Sequence, residues 1–176
     1  MHSFPSAFGL QSIDLFFRME TIPFLTKEDV GTLDQILGDY LQKSEAVFSV
    51  VIDRGGTVIA QQGEEGKMDV TIVAALAAGS FAATRELARR IGEDEFSALY
   101  HQGKDHHILM NALDEQTIII TIFDEKTTVG LVRFYTVNVA DQLVAFLRRL
   151  RERNVSDIPE LDESGELMPG SDIFKK

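Results

Sequence analysis

Thr117-Ile118-Ile119-Ile120-Thr121-Ile122-Phe123 is the stretch from which the fold can be read. It is uncharged and mostly β-branched, which suits a pleated, buried strand. As the least polar strand in the chain it belongs at the centre of a sheet. Working upstream, His106–Leu113 and Phe96–His101 read as two more strands. Asp114-Glu115-Gln116 and Gln102–Asp105 join them into a meander of hairpins. Further upstream, Ala46–Ile52 and Thr57–Gln61 flank Asp53-Arg54-Gly55-Gly56. That is a tight turn, because glycine accepts the positive φ a hairpin demands. Gly63-Glu64-Glu65-Gly66 is a loop.

Helices frame the strands. Thr26-Lys27-Glu28-Asp29 is a capping-box-like start, with Asp29 in place of the usual Glu. Val30, Leu33, Ile36, Leu37, Tyr40 and Leu41 follow on one helical face, and the helix ends near Lys43. Gly31 and Gly38 each weaken it by about 1 kcal/mol relative to Ala, so it needs tertiary support. Asp69 is a good N-cap for Val70–Ile91, and Gly92 a good stop. That helix shows two faces. Ile72, Leu76, Ala83, Leu87 and Ile91 form the bulky face, expected to meet the sheet. Ala75, Ala78, Gly79 and Ala82 form a small-residue face. Val129–Val137 reads both ways. Its β-branched and aromatic content suggests a strand. The spacing of Val139, Leu143, Phe146, Leu147 and Leu150 extends back through it as one helix from about Lys126 to Arg153.

The chain has 176 residues, enough for one domain with a core of its own. Its formal charge of −11 disfavours non-specific nucleic-acid binding and acidic membrane surfaces. The absence of cysteine excludes disulfides, thiolate zinc sites and thiol catalysis, and fits a reducing cytoplasm. No apolar stretch is expected to reach the ~18 residues of a membrane span, and the N-terminus lacks a signal-peptide pattern. Residues 1–25 read as an extension. In it, Leu10–Arg18 is a short amphipathic segment suited to docking, or else a disordered tail, or else Met19 is the true start. Residues 154–176 read as a mobile acidic tail with a small apolar hook at Ile173-Phe174. The domain between them spans 26–153.

The search for chemistry is mostly negative. Gly63-Glu64-Glu65-Gly66-Lys67 has the wrong spacing for a phosphate loop, and its carboxylates would repel phosphate. His101, His106 and His107 cluster in sequence, but adjacent strand residues point to opposite faces, so three metal ligands do not converge. Glu93/Asp94/Glu95 and Asp124/Glu125 sit where caps and solvated loops explain them. What remains is surface. Phe96–His101 has no Lys, Arg or Pro to guard it as an edge strand. The small-residue face of Val70–Ile91 lets another helix approach closely. Together they suit a symmetric homodimer through Gly79, Ala98, Leu99, Tyr100 and His101.

The order α-β-β-α-β-β-β-α resembles the roadblock/light-chain-seven domain family. Val50-Val51-Ile52-Asp53-Arg54-Gly55-Gly56, Ala77-Ala78-Gly79 and Ile91-Gly92-Glu93-Asp94-Glu95-Phe96 carry the likeness. So do His101-Gln102-Gly103-Lys104-Asp105 and, most tellingly, Ile122-Phe123-Asp124-Glu125-Lys126-Thr127-Thr128-Val129-Gly130-Leu131-Val132-Arg133. Within the family the chain looks most like the MglB-type bacterial regulators of a small Ras-like GTPase in motility and polarity. The resemblance implies an α+β, roadblock-type (profilin-like) layered fold, with a five-stranded antiparallel sheet, helices on both faces and a long final helix from near Thr127. It implies a cytoplasmic homodimer joined at the third strand, with paired second helices as a platform. Two copies would bind one GTPase and promote GTP hydrolysis by reshaping the GTPase's own site. A scaffold or adaptor that bridges other proteins is the alternative. No catalytic residue, metal or cofactor is implied, so the chain would not itself be an enzyme. The platform maps onto Ala75, Ala78, Ala82, Arg85, Glu86 and Arg89. The family pattern has small residues near Arg85 and Glu86, so this chain carries charge there.

Overall fold

The computed structural model describes residues 24–156. Leu10–Arg18, Met19 and Ile173-Phe174, each given a reading above, lie outside them. The elements follow in the expected order: α1 (Lys27–Ser44), β1 (Phe48–Asp53), β2 (Val58–Gly63), α2 (Val70–Arg90), β3 (Ala98–Gln102), β4 (His107–Ala112), β5 (Thr117–Phe123) and α3 (Val129–Ser156). The strands form one sheet in the order β2-β1-β5-β4-β3, with every neighbouring pair antiparallel. β5 is the middle strand, and all its residues are buried.

Strand alternation divides the interior. Val50, Ile52, Ile118, Ile120 and Ile122 face α2, while Val51 and Ile119 face α1 and α3. Leu33 and Leu37 of α1 meet Leu143 and Leu147 of α3 in that second layer. Val30, expected on the same face, lies in the first turn and is 44% exposed. β3 starts at Ala98 rather than Phe96, because its register with β4 begins at Ala98↔Asn111. The double reading of Val129–Val137 resolves as helix. Asp124 accepts a hydrogen bond from the Lys126 N–H at 2.9 Å, and Thr128 Oγ1 accepts from the Leu131 N–H at 3.3 Å. The Lys126 N–H in turn holds the Asp124 carboxyl below its usual range.

Tyr40 joins three elements. Its Oη lies 2.9 Å from Thr121 Oγ1 of β5 and 2.8 Å from Thr136 Oγ1 of α3, all buried. Replacing Tyr40 with Phe strands the Thr121 hydroxyl, and is expected to cost about 1–3 kcal/mol in urea unfolding.

The capping box at Thr26 forms as read. Thr26 Oγ1 accepts from the Asp29 N–H at 3.2 Å, and the Asp29 carboxylate accepts from the Thr26 N–H at 2.8 Å. The next contact lies beyond any local sequence pattern, because its partners are far apart in the chain. Arg153 near the end of α3 donates to Asp29 at 2.6 Å and to the Phe24 carbonyl at 3.1 Å. That guanidinium, with the Thr26 donors, holds the Asp29 carboxyl well below the usual carboxylate range. Asp114 is held low too. Burial pushes it up, but donors from Arg151 at 2.7 Å, Thr117 and the Gln116 N–H outweigh burial. Both groups have folded pKa values below their unfolded ones. Their stabilisation is therefore complete above the unfolded pKa, near 4, and is lost as pH falls through the folded values. The urea midpoint is expected to drop steadily below about pH 4, and Asp29→Asn should flatten that drop.

Candidate functional site

α2 is fixed firmly at both ends. Asp69 Oδ1 accepts from the Ile72 N–H at 3.2 Å. At the other end Gly92 takes φ +84°, and the Glu93 N–H returns to the Ala88 carbonyl at 3.0 Å, a Schellman closure. The helix sits low on the sheet. Gly56, at φ +90° in the β1–β2 turn, lies so near that a Cβ there would come within 2.8 Å of Ala75 Cα. Arg54 of the same turn stacks its guanidinium 5.2 Å from the Phe81 ring centre and bonds Glu95 at 2.9 Å.

That close approach decides which face turns inward. Ala74, Ala77, Ala78, Phe81 and Ala88 are buried. The bulky face, expected against the sheet, points the other way: Ile72 is 56% exposed, Leu76 69%, Leu87 57% and Ile91 64%. The inward face is mostly alanine around Phe81 and Val70, and Ile72, Leu76, Leu87 and Ile91 are left outside. The outcome is an apolar ridge on a helix whose inner face is already filled, far more than scattered exposed residues need explaining. By length and composition alone α2 could cross a membrane, contrary to the expectation that no stretch reaches that length. Its seat on a five-stranded sheet makes it a layer of this domain instead.

The six platform residues divide accordingly. Ala75 and Ala82 are exposed beside the ridge, while Ala78 lies in the core. Arg85 is half-buried. Glu86 and Arg89 are exposed, and Glu86 is bonded by Arg90 at 2.7 Å with Arg89 4.0 Å away. Gly79 is exposed on the ridge, between Leu76 and Leu87. Among the described residues β3 pairs with β4 alone and stands at an edge of the sheet. Its Ala98, Leu99 and Tyr100 are half-buried and His101 is exposed. Leu99 packs toward the α2 side of the sheet; Tyr100 stacks on His107 and Phe123 on the opposite side.

The histidines separate. His101 and His106 are exposed, and His107 lies with its Nδ1 3.1 Å from Tyr100 Oη. Among the described residues no three His, Cys, Asp or Glu side chains come together as a metal group. Sequence reading identified both surface elements but missed Ile72, Leu76, Leu87 and Ile91 as outward residues. The available signal was that α2 is apolar on more than one face, and one sheet can cover only one of them.

The model of the Roadblock/LC7 domain family matches residues 32–123, which run from α1 to the end of β5. An uncharacterized protein of Methanocaldococcus jannaschii is 31% identical over 114 residues, covering 64% of this chain and 97% of the relative. Among solved structures, MglB of Myxococcus xanthus aligns with TM-score 0.67 and 28% identity, over 72% of this chain and 96% of its own. The gliding protein MglB of Thermus thermophilus gives 0.66 and 26%, over 76% and 98%. An MglB described with a tetrameric arrangement gives 0.70 and 25%, over 74% and 98%.

Proposed function

Because the chain belongs to the Roadblock/LC7 domain family, we propose that it acts as a homodimer that binds a small Ras-like GTPase and promotes its GTP hydrolysis. The likeness to MglB structures supports this reading and suggests a role in polarity or motility. The observation that carries it is the exposed apolar ridge of α2 on a domain whose sheet, among the described residues, ends in strand β3. Two copies related by a two-fold axis would pair their β3 edges through Ala98–His101 and continue the sheet. Their α2 helices would then lie together at Gly79, with Ala75 and Ala82 as the small-residue floor on which a GTPase rests. Arg85, Glu86 and Arg89 border that floor. The chain supplies a surface that reshapes the GTPase's own site, so it is a regulator and not itself an enzyme. A cytoplasmic site of action fits such a partner and the absence of cysteine. The working unit is the domain from 26 to 153.

One observation favours the alternative, a scaffold that binds without activating. The Glu86–Arg90 pair with Arg89 puts exposed charge at one end of the floor. The two readings separate on nucleotide dependence. The purified chain, used as bait with GDP and again with a non-hydrolysable GTP analogue, is expected to retain a small GTPase only with the analogue. Equal retention in both states, or retention of large proteins alone, would favour the scaffold.

A further inference from the structure

Helix α3 lies on the side of the sheet away from α2 and turns an apolar patch outward. On that patch Phe134 is 61% exposed and Val137 63%. Arg133 stands four residues before Val137 and Asp141 four residues after it. Both are exposed, and neither pairs with another group among the described residues. We propose that this face is an interface between two copies of the chain, in which α3 packs antiparallel on the partner's α3 about a two-fold axis at Val137.

The order of residues carries the inference. A two-fold axis at Val137 sets each residue before it opposite the residue equally far after it in the other copy. Arg133 then faces the partner's Asp141, and the symmetry makes that pair twice. Phe134 faces the partner's Ala140, and Gly130 faces the partner's Val144, so each larger side chain meets a smaller one. These positions recur at three- and four-residue spacing, the seam along which two helices meet. Gly130, like the two charged residues, is exposed, while Ala140 and Val144 are half-buried beside the patch. From Gly130 to Val144 the seam runs about 21 Å along α3. A partner of another kind requires no such symmetry. Only a second copy converts one unpaired arginine and one unpaired aspartate into two ion pairs while covering Phe134 and Val137. The contact uses neither β3 nor α2, so it is independent of edge pairing and of any GTPase.

The chain has no cysteine, so an introduced one reports this contact alone. In the full-length protein, Val137→Cys is expected to form a disulfide-linked dimer under mild oxidation. Linkage should be about tenfold faster than with Gln35→Cys, at an exposed position on α1, because association raises the effective concentration of the two thiols. Adding Arg133→Asp to Val137→Cys should slow linkage about fivefold, since it sets like charges opposite each other at two places. Asp141→Arg should do the same, and the two reversals together should restore the rate. Mixing the two singly reversed chains tests the register. Each carries the charge the other needs, so mass spectrometry should find mixed dimers beyond their statistical share. Melts matching that of the Val137→Cys chain confirm that the variants are folded. Linkage no faster with Val137→Cys than with Gln35→Cys would overturn the proposal. So would linkage indifferent to Arg133→Asp, a double reversal that restores nothing, or a statistical mixture.

Discussion

Arginine in place of Ala82 is expected to abolish capture of a GTP-loaded small GTPase while leaving the domain as stable as before. Ala82 is exposed on α2 and is not a member of the buried clusters. Surface changes of that kind stay within about 0.5 kcal/mol. On the proposed floor, the same arginine would put bulk and an unpaired charge into a desolvated contact. That costs about 3 kcal/mol or more, over a hundredfold in affinity. Titration of the GTPase and a thermal melt of the variant are the paired measurements. A variant that still activates the GTPase would mean that α2 is not the binding surface.

Ala78→Arg, one turn away, is expected to behave in the opposite way. Ala78 is 5% exposed and packs with Phe81, Val50 and Ile120. There is no room for a guanidinium beneath a helix seated this low, and a buried unpaired charge costs about 3–5 kcal/mol. Set against the roughly 5–15 kcal/mol typical of a domain, most of the chain's stability would go. A circular-dichroism melt should show the midpoint falling far below that of the parent. A melt matching the parent would mean that α2 is not seated as described. The two variants together separate a binding surface from a core on a single helix.

Much of this fold is legible from local chemistry. Thr117–Phe123 announces its central place because a charge-free, β-branched run fits only where both faces are covered. Thr26 and Asp29 announce the start of α1 because a cap is a contact between near neighbours. The reading of α2 fails for a physical reason. Side-chain bulk is a good guide to burial when helix and sheet stand at ordinary separation. Here the Gly56 turn meets the helix backbone at Ala75, and the face turned inward is mostly alanine, with Phe81 and Val70 as its large members. The small-residue face is therefore legible only in part: Ala75 and Ala82 are exposed, whereas Ala78 belongs to the core. Val129–Val137 gives two readings because β-branched residues suit strands, while the caps that make it a helix lie before it, at Asp124 and Thr128. The ion pairs Arg153–Asp29 and Arg151–Asp114 join residues more than thirty positions apart, and no local pattern announces them.

If this chain promotes hydrolysis on a small GTPase without supplying catalytic groups, the decisive experiment is multiple-turnover GTP hydrolysis by the captured GTPase, with and without the purified chain. Acceleration is expected to saturate near two chains per GTPase and to disappear with Ala82→Arg. Tight, GTP-dependent binding with an unchanged hydrolysis rate would contradict an activating role and leave a scaffold.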